Sequence, residues 1–248
     1  MSRDRVTWGG HATVLLELAG ARLLTDPVLR SRVAHLRRHR EAPSAELAER
    51  LDAVLISHLH YDHLDLPSLR EIAGEVTAFA PHGAAALLRR AGIGTVEEVR
   101  PGESGEVAGV RVSAVPAAHD SRRRPLGRRA EPVGFVLEAG PRIYFAGDTD
   151  LFDGMSDIGP VDLALIPVAG WGPELGSGGH LDPRSAARAA ALIRPAVAVP
   201  IHWGTFYPRG RRLGDWFTEP ARRFATHAAE LAPGVEVRVL APGESLAL

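Results

Sequence analysis

The sequence predicts an α/β layered sandwich with mixed sheets, on three observations. Strand-length apolar runs bounded by Gly and Pro recur along the whole chain and outnumber the helical stretches. Their connections mix tight hairpins with single-helix crossovers, which gives antiparallel and parallel neighbours instead of the strict alternation of a barrel. His and Asp gather just past the ends of the buried runs, where open α/β sheets build their sites.

Taken in order, Val6 opens the first apolar strand, and 12–18 with 22–25 form a hairpin turning at Gly20. A long loop is expected over 26–43, then a helix over 44–51 capped by Ser44. Residues 52–57 (DAVLIS) are a continuous apolar run and so a buried strand. A helix over 67–72 follows Asp65, a strand covers 75–80, and a helix over 83–91 stops at Gly92. Strands follow at 110–115, 133–137, 142–146 and 162–167, with a second long loop at 117–132. Pro183 sits at the first position of a helix over 182–193, which leads into a strand at 196–201. A helix over 220–231 and a strand over 235–240 complete the chain.

Composition removes several chemistries. The 248 residues carry 29 basic and 30 acidic groups, every basic one is Arg, and Lys, Asn, Gln and Cys are absent. No Cys means no disulfide framework, thiolate zinc site, iron–sulfur cluster or cysteine nucleophile. No Lys means no Schiff base and no Walker lysine. Overall neutrality argues against a nucleic-acid partner. No leader-like segment and no apolar run of spanning length is present, so the expectation is a cytoplasmic protein without a transmembrane segment.

The chemistry lies in Ser57-His58-Leu59-His60-Tyr61-Asp62-His63-Leu64-Asp65, directly after the DAVLIS strand. His58 and His60 are two apart and point the same way on extended backbone, while Asp62 and His63 fold over from the loop. One short segment thus offers two pairs of ligands to two adjacent ions, and cannot complete both sites alone. His119, Asp148 and His202 occupy equivalent places past the strands at 110–115, 142–146 and 196–201. His and carboxylate ligands without thiolate admit Zn²⁺ first, and also Mn²⁺ or Fe²⁺.

The segments HLHYDHLD, AAHD, YFAGDTD and PIHWGTF resemble the metallo-β-lactamase superfamily, which implies a four-layer αββα sandwich. More narrowly, WGGHATVLLEL, LLTDPVL, VDLALIPVAGW and IHWGTF resemble the branch of N-acylphosphatidylethanolamine phospholipase D and its neighbour, L-ascorbate-6-phosphate lactonase. The resemblance covers almost the whole chain. It implies one domain over 1–248 with two similar halves, roughly 1–115 and 116–248. By motif, His58, His60 and His119 would hold a first metal, Asp62, His63 and His202 a second, and Asp148 would bridge them. The implied activity is that of a binuclear metal-dependent hydrolase using a metal-bridging hydroxide. Two ions about 3.5–4 Å apart can share and acidify a water in this way. Asp62 would also collect the attacking water's proton, and His180 would contact substrate or protonate the leaving group. Classical zinc β-lactamases often place a Cys at the second metal, and this chain has none, which disfavours β-lactam hydrolysis.

Around this set, His11 and Asp26 are expected to support the ligands, Asp26 either as an imidazole acceptor or as a turn cap before Pro27. Asp65 either supports a ligand or caps the 67–72 helix. His82 is read as locally structural, and His35, His39 and His227 as surface. Arg30, Arg32, Arg37, Arg38 and Arg40 lie in the first long loop, Arg122, Arg123, Arg124, Arg128 and Arg129 in the second, and Arg209, Arg211 and Arg212 after the His202 motif. The guanidinium fork suits phosphate. Arg122, Arg123, Arg124, Trp171 and Tyr207 are therefore candidate contacts for a small anionic or phospholipid-type substrate. A phosphodiester is favoured as the substrate, with a sugar-phosphate lactone as the alternative and a non-catalytic metal-binding sensor as a reading of another class.

Overall fold

In the computed structural model the described residues are 4–72, 74–120, 122, 130–170 and 179–248. The N-terminal part builds β1 (Arg5–Gly10), β2 (Thr13–Leu18), β3 (Ala21–Thr25), β4 (Arg32–Val33), β5 (Leu36–Arg38), β6 (Ala53–Leu55), α1 (Leu66–Ile72), β7 (Thr77–Pro81), α2 (Ala85–Arg90) and β8 (Thr95–Val99). There follow β9 (Ser104–Val107), β10 (Val110–Pro116), β11 (Val133–Glu138), β12 (Arg142–Phe145), β13 (Val161–Pro167), α3 (Pro183–Ile193) and β14 (Pro195–Ile201). The chain ends with β15 (Phe206–Pro208), α4 (Asp215–Thr218), α5 (Pro220–Leu231), β16 (Glu236–Val237) and β17 (Ser245–Ala247).

Two seven-stranded sheets result, ordered β17-β1-β2-β3-β6-β7-β8 and β16-β14-β13-β12-β11-β10-β9. Each is mixed: β1, β2 and β3 are antiparallel whereas β3, β6, β7 and β8 are parallel. The period-2 pattern decides what each face meets. Leu163 and Leu165 point into the core between the sheets with Leu16, Phe79 and Phe135, whereas Ala164 and Ile166 on the same strand point outward. That outer face is covered by Ala186, Ala187 and Ala190 of α3 and Phe224 of α5. On the other side Leu24, Val54 and Ala78 meet Leu69 of α1 and Leu88 of α2. The layers are therefore helix, sheet, sheet, helix. Small alanines let α3 lie close to its strands, and Asp182 caps it by accepting from the Arg184 and Ser185 amides.

Three sequence expectations change. The helix expected over 44–51 is only a 3₁₀ turn at Ala45–Ala48. The strand expected over 235–240 shortens to β16. The loop expected over 26–43 contains the β4–β5 hairpin, because β5 finds a partner in β15 some 170 residues away. These three strands form a small third sheet beside the main layers.

Candidate metal centre

The ends of four strands deliver the chemistry to one place. β6 runs into Ser57 and His58, β10 towards His119, β12 into Asp148 and β14 into His202. The ligand-capable atoms of His58, His60 and His119 lie within 4.8 Å of one another, and so do those of His11, Asp62, His63 and His202. Asp148 stands between the groups. Its Oδ2 is 3.1 Å from His63 Nε2 and 3.9 Å from His58 Nε2, and its Oδ1 is 3.2 Å from His202 Nε2.

The outer partners fix which ring nitrogen faces inward. His119 Nδ1 lies 2.6 Å from the Gly179 carbonyl and His202 Nδ1 lies 2.7 Å from the Ala169 carbonyl. A carbonyl only accepts, so both Nδ1 atoms carry the proton and both Nε2 atoms turn a lone pair to the centre. Asp26 does the same for His63, whose Nδ1 is 2.7 Å from Oδ2. The hydroxyl of Ser57 donates its one proton to Asp26 Oδ2 at 2.5 Å, so it accepts from His58 Nδ1 at 2.9 Å. A single buried carboxylate therefore orients a ring in each group, one directly and one through Ser57. Nothing in the sequence assigns Ser57 this role beyond its position next to His58.

Backbone strain gathers at the same place. His11, Asp26 and His202 have φ of 55°, 32° and 61°, in the left-handed region that side chains other than glycine rarely enter. Gly147, beside Asp148, has φ 60°, and a Cβ there would collide with the Cβ of Ser57. At Gly179 a Cβ would come within 2.8 Å of His119 Nδ1.

Burial sets the charge states. It pushes His58 well below the ordinary imidazole range, His11 to about 3 and His119 to about 4, so these rings are neutral at pH 7, the form that binds a metal. Burial works against ionised Asp62 and Asp148 too, but the surrounding imidazoles outweigh it and hold both well below the usual carboxylate range. For His63 burial is overcome by Asp148, Asp26 and Asp62, which raise it well above its usual value.

These residues fit divalent metal ions. Buried His63 Nε2 and Asp148 Oδ1 make no hydrogen bond among the described residues, and each such atom costs about 1–3 kcal/mol unless something else satisfies it. His58 Nε2 and His119 Nε2 both stand about one hydrogen-bond length from His60 Nδ1, at 3.0 and 3.1 Å. One proton on His60 cannot serve two lone pairs well, whereas a cation among three nitrogens serves all of them.

The other expected site residues divide. His180 joins the cluster, with Nε2 3.1 Å from Asp148 Oδ2 and its side chain 20% exposed. His11 donates towards Asp62, Nε2 to Oδ2 being 3.1 Å. Asp65 instead accepts from the Ser68 amide and hydroxyl at the start of α1 and pairs with both arms of Arg30, so it is a cap and an anchor. Arg38 is buried and donates to the carbonyls of Val28, Arg30 and Gly9; burial lowers it to about 10. Its guanidinium ties the loops of His11 and Asp26 together and is not free for substrate. Tyr207 packs edge-on against His39 and Phe217. Arg122 is exposed beside Asp120, while Arg123, Arg124 and Trp171 lie outside the described residues.

A family model described as the β-lactamase superfamily domain matches residues 21–203. The chain belongs to this family. A metal-dependent hydrolase of Methanopyrus kandleri is 34% identical over 97% of this chain and 98% of its own length. An N-acyl-phosphatidylethanolamine-hydrolyzing phospholipase D of Caenorhabditis elegans is 33% identical over 86% of this chain and 67% of its own length. A metallo hydrolase from Ignicoccus hospitalis shares the fold, with a TM-score of 0.76, 24% identity and coverage of 98% and 97% of the two chains. The protein is thus a metal-dependent hydrolase of the metallo-β-lactamase fold. No helix among the described residues of this hydrolase is long and apolar enough to cross a membrane.

Proposed function

We propose that this hydrolase holds two divalent ions and cleaves a phosphodiester or another anionic phosphorylated substrate. The observation that carries the reading is the pair of inward-facing ligand groups that share Asp148. His58, His60 and His119 would hold one ion and Asp62, His63 and His202 the other, with Asp148 between them. Divalent ions there would supply Lewis acidity and a water acidic enough to ionise near neutral pH. The similarity to a phospholipase D supports the phosphodiester bond.

The chain's own groups handle orientation and protons. His11 fixes Asp62 through Oδ2, and Asp62 takes up the proton that the attacking water loses. His180 stands at the partly exposed edge of the cluster, where Nε2 can pass a proton to the departing oxygen. His180→Ala is expected to lower kcat by about 10²–10⁴-fold while leaving bound metal unchanged in elemental analysis. Loss of metal in that variant would place His180 among the ligands instead.

The substrate is tested by assaying a generic phosphodiester and a sugar-phosphate lactone side by side, each with and without chelator. Phosphodiester cleavage that chelator abolishes and added Zn²⁺ or Mn²⁺ restores is the expected result. Lactone opening without phosphodiester cleavage would overturn the substrate assignment.

A further inference from the structure

Two arginine-rich segments far apart in sequence become one surface in the fold. β5 pairs with β4 on one side and with β15 on the other, so Arg32 stands directly opposite Arg37, and Arg37 directly opposite Tyr207. The inner face of this small sheet is apolar, with Val33, Leu36 and Phe206 packed together. By the alternation of a strand, Arg32, Arg37 and Tyr207 form one row on the opposite face, and both arginines are exposed. Arg209 continues from β15, its amide bonded to the His35 carbonyl at the β4–β5 turn, and Arg212 follows.

Like charges set directly across a sheet are destabilising. Here no carboxylate relieves them: Arg32, Arg37, Arg209 and Arg212 make no ion pair among the described residues. The nearest acid on α4, Asp215, faces Arg223 at 3.9 Å. In a chain of net charge −1 such a patch is a local feature, unlike the overall basicity of a nucleic-acid binder. Apolar groups lie within it. Leu213 is one of only three large hydrophobic side chains exposed among the described residues, and Arg211 lies 4.6 Å over the ring of half-buried Trp216. Arginines spread around an exposed Leu and a Trp are the composition that sits at an anionic bilayer surface. The inner face of the same small sheet packs against the metal centre, since Phe206 of β15 contacts the His11 ring at 5.2 Å between centroids.

We infer that the β4–β5–β15 sheet and the segment after it, through Arg32, Arg37, Arg209 and Arg212, dock this hydrolase on an anionic phospholipid surface. The inference concerns binding only, so it stands or falls apart from the reaction proposed above.

Co-sedimentation of the metal-loaded protein with phosphatidylcholine vesicles, with and without phosphatidylglycerol, tests it. Binding is expected only with phosphatidylglycerol and is expected to fade at high salt, where exposed charges are screened. The double variant Arg32→Glu with Arg37→Glu should weaken it by about 30-fold or more. Arg209→Glu with Arg212→Glu, on the other segment, should act alike, which keeps the test decisive if the first variant misfolds. Equal binding to both vesicle types, unchanged binding in both folded variants, or retention of duplex DNA but not of vesicles would each overturn the inference.

Discussion

Asp148→Ala is expected to abolish hydrolysis and to leave the protein unable to hold two metal ions. The carboxylate is buried, and its oxygens are 3.1 Å from both His63 Nε2 and His180 Nε2 and 3.2 Å from His202 Nε2. No other acidic side chain among the described residues touches these three rings and also approaches His58. Without it the imidazoles of the two groups lose the anion that holds them together, and a divalent charge in their midst loses its counter-charge. Metal activation supplies several kcal/mol of transition-state stabilisation, so kcat/KM should fall by about 10³-fold or more. Elemental analysis should show at most one metal per chain, with circular dichroism confirming that the variant is folded. Full activity, or two metals retained, would show that Asp148 does not join the two groups.

The second large effect is expected at Asp26, which stands outside the two proposed ligand sets and holds their rings through its own hydrogen bonds. Asp26→Asn keeps the volume at a fully buried position but replaces an acceptor by an amide nitrogen. The wild-type carboxylate accepts from the Ser57 amide at 2.7 Å, the Ser57 hydroxyl and His63 Nδ1. An asparagine satisfies the amide and then presents N–H to the other two. His63 must turn its Nδ1 lone pair to the amide, which puts the proton on Nε2, where a metal would have to bind. Metal affinity should drop by at least 10–100-fold, with about 1–3 kcal/mol lost in stability to the mismatched donors. Ser57→Ala offers the contrast. It releases only His58 and leaves the Asp26–His63 contact intact, so calorimetric titration should show one weakened site and one near wild type. Equal weakening of both sites in Ser57→Ala would rule out the separate routes from Asp26.

The segments that carry the candidate ligands were legible in the sequence because their signals are local. HLHYDH follows a continuous apolar run, and the glycine of FAGDTD and that of IHWGTF mark sharp turns just past strands. The Asp182 cap and Pro183 likewise announce α3 from neighbouring residues alone. Other assignments needed the third dimension. Asp65 reads equally well as a ligand support or a cap, and only the position of Arg30 and Ser68 decides for the cap. Arg38 looks like its neighbours in a basic loop, yet the pairing of β5 with β15 turns it inward while Arg37 turns outward.

By itself, then, the sequence determined the α/β class and the identity of the residues that can bind metal, since apolar periodicity and ligand chemistry belong to the residues themselves, and its family resemblance implied the order of the layers. The tertiary structure alone decided how they act together. It placed His11 against Asp62, made Ser57 a link from Asp26 to His58, and joined two arginine segments into one face. The physical reason is that each of these depends on hydrogen bonds between residues about 50 to 170 positions apart or on the turning of one hydroxyl, and neither strand register nor proton direction is written in local spacing.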